Sequence, residues 1–150
     1  MKLIKKVKKI KYFHVLAVVV SLMAINLSGC AFFQNAALVK PLKINADQGA
    51  NNAQSFYMVV NPNETLENYM AQTKESVYQK MIAQTYKSYQ LYPNTADSVD
   101  IEYPATAKYI GVYFLVDQDG DASATWSFLL PADTKKAMLD VENNAVELQK

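Results

Sequence analysis

The sequence is poor in the side chains that carry most enzyme chemistry. Its 150 residues include one His (His14), one Cys (Cys30) and no Arg. One thiol cannot form a disulfide within the chain, and one His with one Cys cannot complete a zinc site. Charge is scarce beyond the N-terminus. Six of the fifteen Lys lie in the first eleven residues, which leaves nine Lys against fourteen acids in the remainder. An acidic body without Arg is a poor partner for nucleic acid, whose phosphates require clustered cations. No apolar run reaches the roughly 20 residues that a spanning helix needs. The chain also shows no internal repeat and no low-complexity tract.

The N-terminus carries the most specific signal. Residues 1–11 (MKLIKKVKKIK) are basic, and residues 12–27 (YFHVLAVVVSLMAINL) are mostly apolar. This pairing has the form of a secretory signal. Leu27-Ser28-Gly29-Cys30 follows and resembles the lipobox of bacterial lipoproteins. An aliphatic residue and two small ones give a peptidase access to the backbone, and the Cys30 thiol accepts the lipid. Residues 1–29 are therefore expected to be a lipoprotein signal peptide, and residues 30–41 a lipidated tether. Residues 42–150 would then form one β-sandwich domain. Cleavage before Cys30 would remove His14, and acylation would consume the thiol. Ser-His-Asp and Cys-His catalysis are thereby excluded from the mature chain. Ala31 follows the Cys where an Asp would signal retention in the inner membrane of a Gram-negative cell. The expected location is thus the outer membrane, facing the periplasm, with the covalent lipid on Cys30 and no other cofactor.

Beyond the tether the pattern favours strands. Residues 42–46 and 55–60 (SFYMVV) read as the first two, separated by the polar loop 47–54 (DQGANNAQ). Asn61-Pro62-Asn63-Glu64 has the form of a helix start. Leu66, Met70, Thr73, Val77 and Met81 recur at helical steps, so a helix is predicted over residues 62–84. From Tyr86 onward the chain returns to strands. Val99, Ile101 and Tyr103 alternate with Asp100 and Glu102, and Pro104 closes the segment. Residues 108–116 (KYIGVYFLV) are apolar on both faces, as in a central strand. Trp126, Phe128 and Leu130 alternate, as do Ala137, Leu139 and Val141. Val146 and Leu148 make a last short strand. The fold class is all-β, a sandwich with a short helical excursion.

Candidate chemistry is thin. Asp117-Gln118-Asp119-Gly120-Asp121 suggests calcium, but Ala122 and Phe128 stand where an EF-hand loop needs Gly and Glu. A hairpin turn on Asp119-Gly120 explains the run, so no metal site is expected. Asp100 and Glu102 share the wet face of a strand, without a cleft. The ten Tyr could form a solute- or glycan-binding surface, although Tyr is also a common half-buried strand residue. Trp126 reads as core.

The C-terminal half resembles the TssJ family, the outer-membrane lipoproteins of type VI secretion systems. The resemblance rests on Ala107-Lys108-Tyr109-Ile110-Gly111-Val112, the apolar run to Val116, and Trp126 after a short turn. It continues through Met138-Leu139-Asp140-Val141-Glu142, Asn143-Asn144 and Val146-Glu147-Leu148, with Pro93-Asn94 ahead of a strand. It extends in pattern over residues 42–150 and closely over 88–148. The first loop departs from the family, having Asp47-Gln48-Gly49 without the usual Pro and Arg, as in a divergent branch such as the IglE-type lipoproteins. The resemblance implies a transthyretin-like β-sandwich that is not an enzyme. It also implies an anchor for the secretion machine's membrane complex that binds the periplasmic C-terminal domain of a TssM (IcmF-like) protein. The family's first loop shares in that contact, which here means Asp47, Gln48, Gly49, Ala50, Asn51, Asn52, Ala53 and Gln54.

Overall fold

A computed structural model describes residues 37–117, 125–142 and 145–149, which form one compact unit beginning at Ala37. Eight strands make two four-stranded sheets. The first has the order β4-β1-β7-β8 and the second β3-β2-β5-β6. The strands are β1 (Ala37–Ala46), β2 (Phe56–Glu64), β3 (Lys87–Leu91), β4 (Thr95–Pro104), β5 (Tyr109–Leu115), β6 (Ser127–Pro131), β7 (Ala137–Glu142) and β8 (Ala145–Gln149). Neighbours are antiparallel except β1 and β7, which run parallel with Leu42 opposite Ala137 and Ala46 opposite Val141. The sandwich predicted from sequence is the fold observed.

The core follows from alternation. Leu42, Ile44 and Ala46 of β1 face Met58 and Val60 of β2, Ile110, Val112 and Phe114 of β5, and Leu139 and Val141 of β7. Strand β4 buries Ile101 and leaves Asp100 and Glu102 wet, as its alternation predicts. Strand β5 is central and buried on both faces, because two short helices cover its outer side. These helices are α1 (Leu66–Met70) and α2 (Lys74–Ile82).

Two expectations are corrected. Strand β1 begins at Ala37, so five residues assigned to the tether belong to the sheet. The pattern hid this because Lys40 occupies a core-facing position. Its ammonium escapes burial without a partner by donating to the Pro131 carbonyl at 2.8 Å. The single helix over residues 62–84 is replaced by the end of β2 and two helices. Pro62 sits at a register shift between Asn61 and Glu64 in the β2–β5 pairing, where a missing N–H is tolerated. Thr65 and Thr73 cap α1 and α2, and the Thr73–Ser76 capping box starts α2 afresh. Of the helical-period residues only Val77 is buried, while Leu66 and Met70 face solvent. Trp126 packs as core, as expected, against Tyr113 in the smaller cluster on the outer side of the second sheet.

Candidate functional site

Strand β1 carries the chain about 30 Å from its entry at Ala37, since each residue advances roughly 3.3 Å. Loop 47–54 therefore lies at the end of the sandwich distal to Ala37. It is closely held there. The Asp47 N–H donates to the Val141 carbonyl at 3.0 Å, and the Asp47 carbonyl accepts from Asn94 N–H at 2.9 Å. Ala50 plugs the core and is fully buried. Asn51, Asn52 and Ala53 then take left-handed backbone angles, with φ of 50°, 55° and 60°. Asn reaches this region more readily than most residues; Ala53 has no such side-chain help.

Asn51 is the pin. It is 7% exposed. Its Nδ2 donates to the carbonyls of Ser55 at 3.0 Å and Gln54 at 3.4 Å, and its Oδ1 accepts from the Asp117 N–H beyond β5. One side chain thus closes the loop on itself and ties it to the second sheet. Of the eight residues expected to meet a partner, Ala50 and Asn51 point inward and Gly49 is half-buried. Asp47, Gln48, Asn52, Ala53 and Gln54 are exposed. The loop is a fixed platform presenting polar groups.

A second polar constellation escaped the sequence reading. Glu64, at the end of β2, is 2% exposed. Its carboxylate accepts from Tyr113 OH at 2.6 Å, Asn61 Nδ2 at 2.9 Å, Thr65 N–H at 3.0 Å and Asn68 Nδ2. Tyr86 OH accepts from Asn61, Asn68 and Lys80, whose ammonium also lies 4.9 Å from the Tyr86 ring centre. Tyr113 in turn packs against Tyr69, Tyr86 and Trp126. Burial, reinforced by the Glu64 carboxylate, raises the Tyr113 hydroxyl above its ordinary range. A carboxylate occupied by four donors has no lone pair free for acid–base work, so its role is to hold α1 and α2 against the sheet. Gly111 was the available signal. A glycine within an apolar strand marks a close approach, and a Cβ there would lie 2.8 Å from Glu64 Oε2 and 2.9 Å from Tyr113 OH.

The described residues contain no group of three His, Cys, Asp or Glu able to hold a metal ion. Asp117 is exposed, and the rest of the 117–121 run lies outside the described residues. Cys30 lies outside them too. Among the described residues, no helix is long and apolar enough to cross a membrane.

Residues 57–143, from β2 to the end of β7, match the family model described as the IglE N-terminal domain. The chain belongs to that IglE family. No curated protein matches it in sequence. Solved structures share the fold of this IglE-family chain at low identity. A chain from the structure of the T6SS protein TssM C-terminal domain from EAEC is 18% identical with a TM-score of 0.64, covering 77% of this chain and 99% of that one. Serratia marcescens Lip, a membrane-bound component of the type VI secretion system, is 16% identical with a TM-score of 0.62, covering 75% and 97%. The T6SS lipoprotein TssJ1 from Pseudomonas aeruginosa is 11% identical with a TM-score of 0.60, covering 76% and 96%.

Proposed function

We propose that this IglE-family chain is a non-enzymatic, lipid-anchored scaffold of a type VI secretion membrane complex. Cys30 carries the lipid and holds the chain in the outer membrane, facing the periplasm. Loop 47–54 binds the periplasmic domain of a TssM-type protein. The observation that carries this reading is the pinned distal loop on a sandwich shared with type VI lipoproteins. It presents Gln48, Asn52 and Gln54 at the end away from Ala37, where a partner reaching across the periplasm would arrive. The structure of the TssM C-terminal domain that contains a chain of this fold supports the choice of partner. A rigid, preformed surface suits such a role, because little ordering cost is left for binding. The solute-binding alternative relied on a tyrosine surface, yet Tyr69 and Tyr86 pack on the buried Tyr113, and the exposed Tyr57, Tyr78 and Tyr92 stand on β2, on α2 and after β3.

The test is co-purification of the C-terminally tagged full chain from its native envelope, with Cys30→Ser and with Gln48→Lys/Gln54→Lys. The expected result is recovery of a large inner-membrane protein with a periplasmic domain, lost in Cys30→Ser and reduced in the loop variant. Recovery of the lipoprotein alone would reduce the likeness to one of fold.

A further inference from the structure

The end of the sandwich opposite loop 47–54 has a chemistry of its own. It consists of the start of β1, the turn 105–108 and the loop 132–136. Backbone and side-chain bonds join these pieces. The Ala132 N–H donates to the Lys108 carbonyl at 2.9 Å, and Tyr103 OH donates to the Ala132 carbonyl at 3.3 Å. Three lysines, Lys108, Lys135 and Lys136, are exposed on this frame. Among the described residues the one ion pair is Lys87–Glu102, so none of the three is paired. One acid, Asp133, is exposed on the same loop, and its charge partly offsets the burial that lowers the Lys40 pKa. At the start of β1, Leu38 is 44% and Val39 57% exposed; opposite Val39 stands Glu102, whose charge is met by Lys87. An open groove of about 380 Å³ on the first sheet is lined by Pro41 and Lys43 of β1, by Lys136 with Ala137 and Met138 of β7, and by Gln149 of β8. The opposite end exposes Asp47, Asp117 and Glu142, with Lys74 near enough to Asp117 to feel its charge.

We infer that this cationic, partly apolar end is a docking surface for a phospholipid bilayer with anionic head groups. The inference rests on the Cys30 anchor proposed above. Six residues separate Cys30 from Ala37. Even fully extended, that stretch spans only about 25 Å, so an acylated Cys30 holds this end within reach of the head groups. Anionic lipid attracts each surface lysine by about a fivefold factor, and the attraction fades within a Debye length of about 8 Å. Leu38 and Val39 add apolar area at the same level. The distal end, about 30 Å up β1, lies beyond the range of that attraction. The sandwich therefore stands upright on the membrane, with loop 47–54 held away from it.

The test uses the full lipidated chain in vesicles of phosphatidylcholine with phosphatidylglycerol, once mass spectrometry has established the acyl group on Cys30. A spin label is placed at Val39→Cys or at Asn52→Cys, and its contact with oxygen against an aqueous nickel chelate is read. The expected result is a lipid-like environment for the label at 39 and an aqueous one for the label at 52. The label at 39 should become aqueous in pure phosphatidylcholine, and equally in the Lys108→Gln/Lys135→Gln/Lys136→Gln variant. Equal aqueous exposure of both labels would overturn the inference, as would a label at 39 indifferent to lipid charge and to the three lysines. No partner protein enters this measurement. Failure of partner capture would leave its result standing, and the reverse is also true, whereas an unacylated Cys30 would overturn both.

Discussion

Residues 47–54 and residues 61–86 look alike in sequence, both rich in Asn and Gln and both interrupting strands. They use their polar groups in opposite directions. The first turns one side chain, Asn51, inward and leaves Asp47, Gln48, Asn52 and Gln54 facing water. The second turns Glu64, Asn61, Asn68 and Tyr86 onto one another and exposes apolar Leu66, Met70 and Ile82 instead. Polarity alone therefore does not identify a recognition surface. Where the hydrogen bonds end does. The excursion uses its own donors and acceptors to stay folded, whereas the distal loop is held by backbone bonds at Asp47 and by one polar side chain, Asn51, and keeps its other polar side chains available.

The largest effect should come from breaking the inward network. Glu64→Ala leaves Tyr113 OH and two Asn amides without their acceptor in a buried site and should cost about 4 kcal/mol in urea unfolding. Helical ellipticity should fall with it, since α1 and α2 lose their tie to the sheet. Gly111→Ala attacks the same point from the strand and should cost about 2 kcal/mol, because the carboxylate that must move is held by four donors. The double variant should cost clearly less than the two single costs added, since both act through the Glu64 carboxylate. Strict additivity would show that Gly111 matters for another reason.

Most of the sandwich was legible in the sequence because alternation on a half-buried sheet is a direct imprint of the pleat. The faces of β4 and β7 and the central position of β5 follow from it. Two features broke the code. Lys40 sits on a core face because its long stem carries the ammonium to a carbonyl at the end of the core. Asn61-Pro62-Asn63-Glu64 has every local mark of a helix start, yet tertiary pairing with β5 keeps it in a strand, and the Glu buries its carboxylate where a cap would have exposed it. The distal loop was legible as a loop. Its division into inward and outward residues was not, since that depends on Asp117, sixty-six residues away.

The tyrosine at the heart of the network makes the same contrast visible in pH. Because burial, assisted by Glu64, raises the Tyr113 hydroxyl above the ordinary 10.0, the native state keeps a proton that the unfolded chain sheds. Its contribution is complete below pH 10 and declines steadily above it. Urea midpoints measured from about pH 8 to about pH 11 should fall for the wild type and fall less for Tyr113→Phe, which begins lower by about 1 kcal/mol. Parallel curves would mean that the hydroxyl is not protected from solvent.

The pin of the distal loop should be worth less. Asn51→Ala removes two donors and an acceptor and places a Cβ without a helping side chain at φ 50°, for a cost of about 2 kcal/mol. Asn51→Gly keeps the backbone angle accessible and should lose only about half of that. The gap between the two variants separates the backbone share from the hydrogen-bond share.

The smallest effect on stability should come from the outward residues, and there the comparison bears on function. Gln48→Lys and Gln54→Lys alter exposed side chains with no tertiary partner, apart from the backbone that Asn51 already holds. Each should shift the unfolding free energy by no more than about 0.5 kcal/mol. If they weaken capture of the TssM-type domain while Asn51→Gly, still folded, weakens it as well, the loop acts as a platform whose shape and side chains both count. If Asn51→Gly weakens capture and the lysine variants do not, recognition runs through the backbone path of residues 51–53. Binding unchanged in all three would move the contact to another surface of the sandwich, since the loop would then be pinned for stability alone.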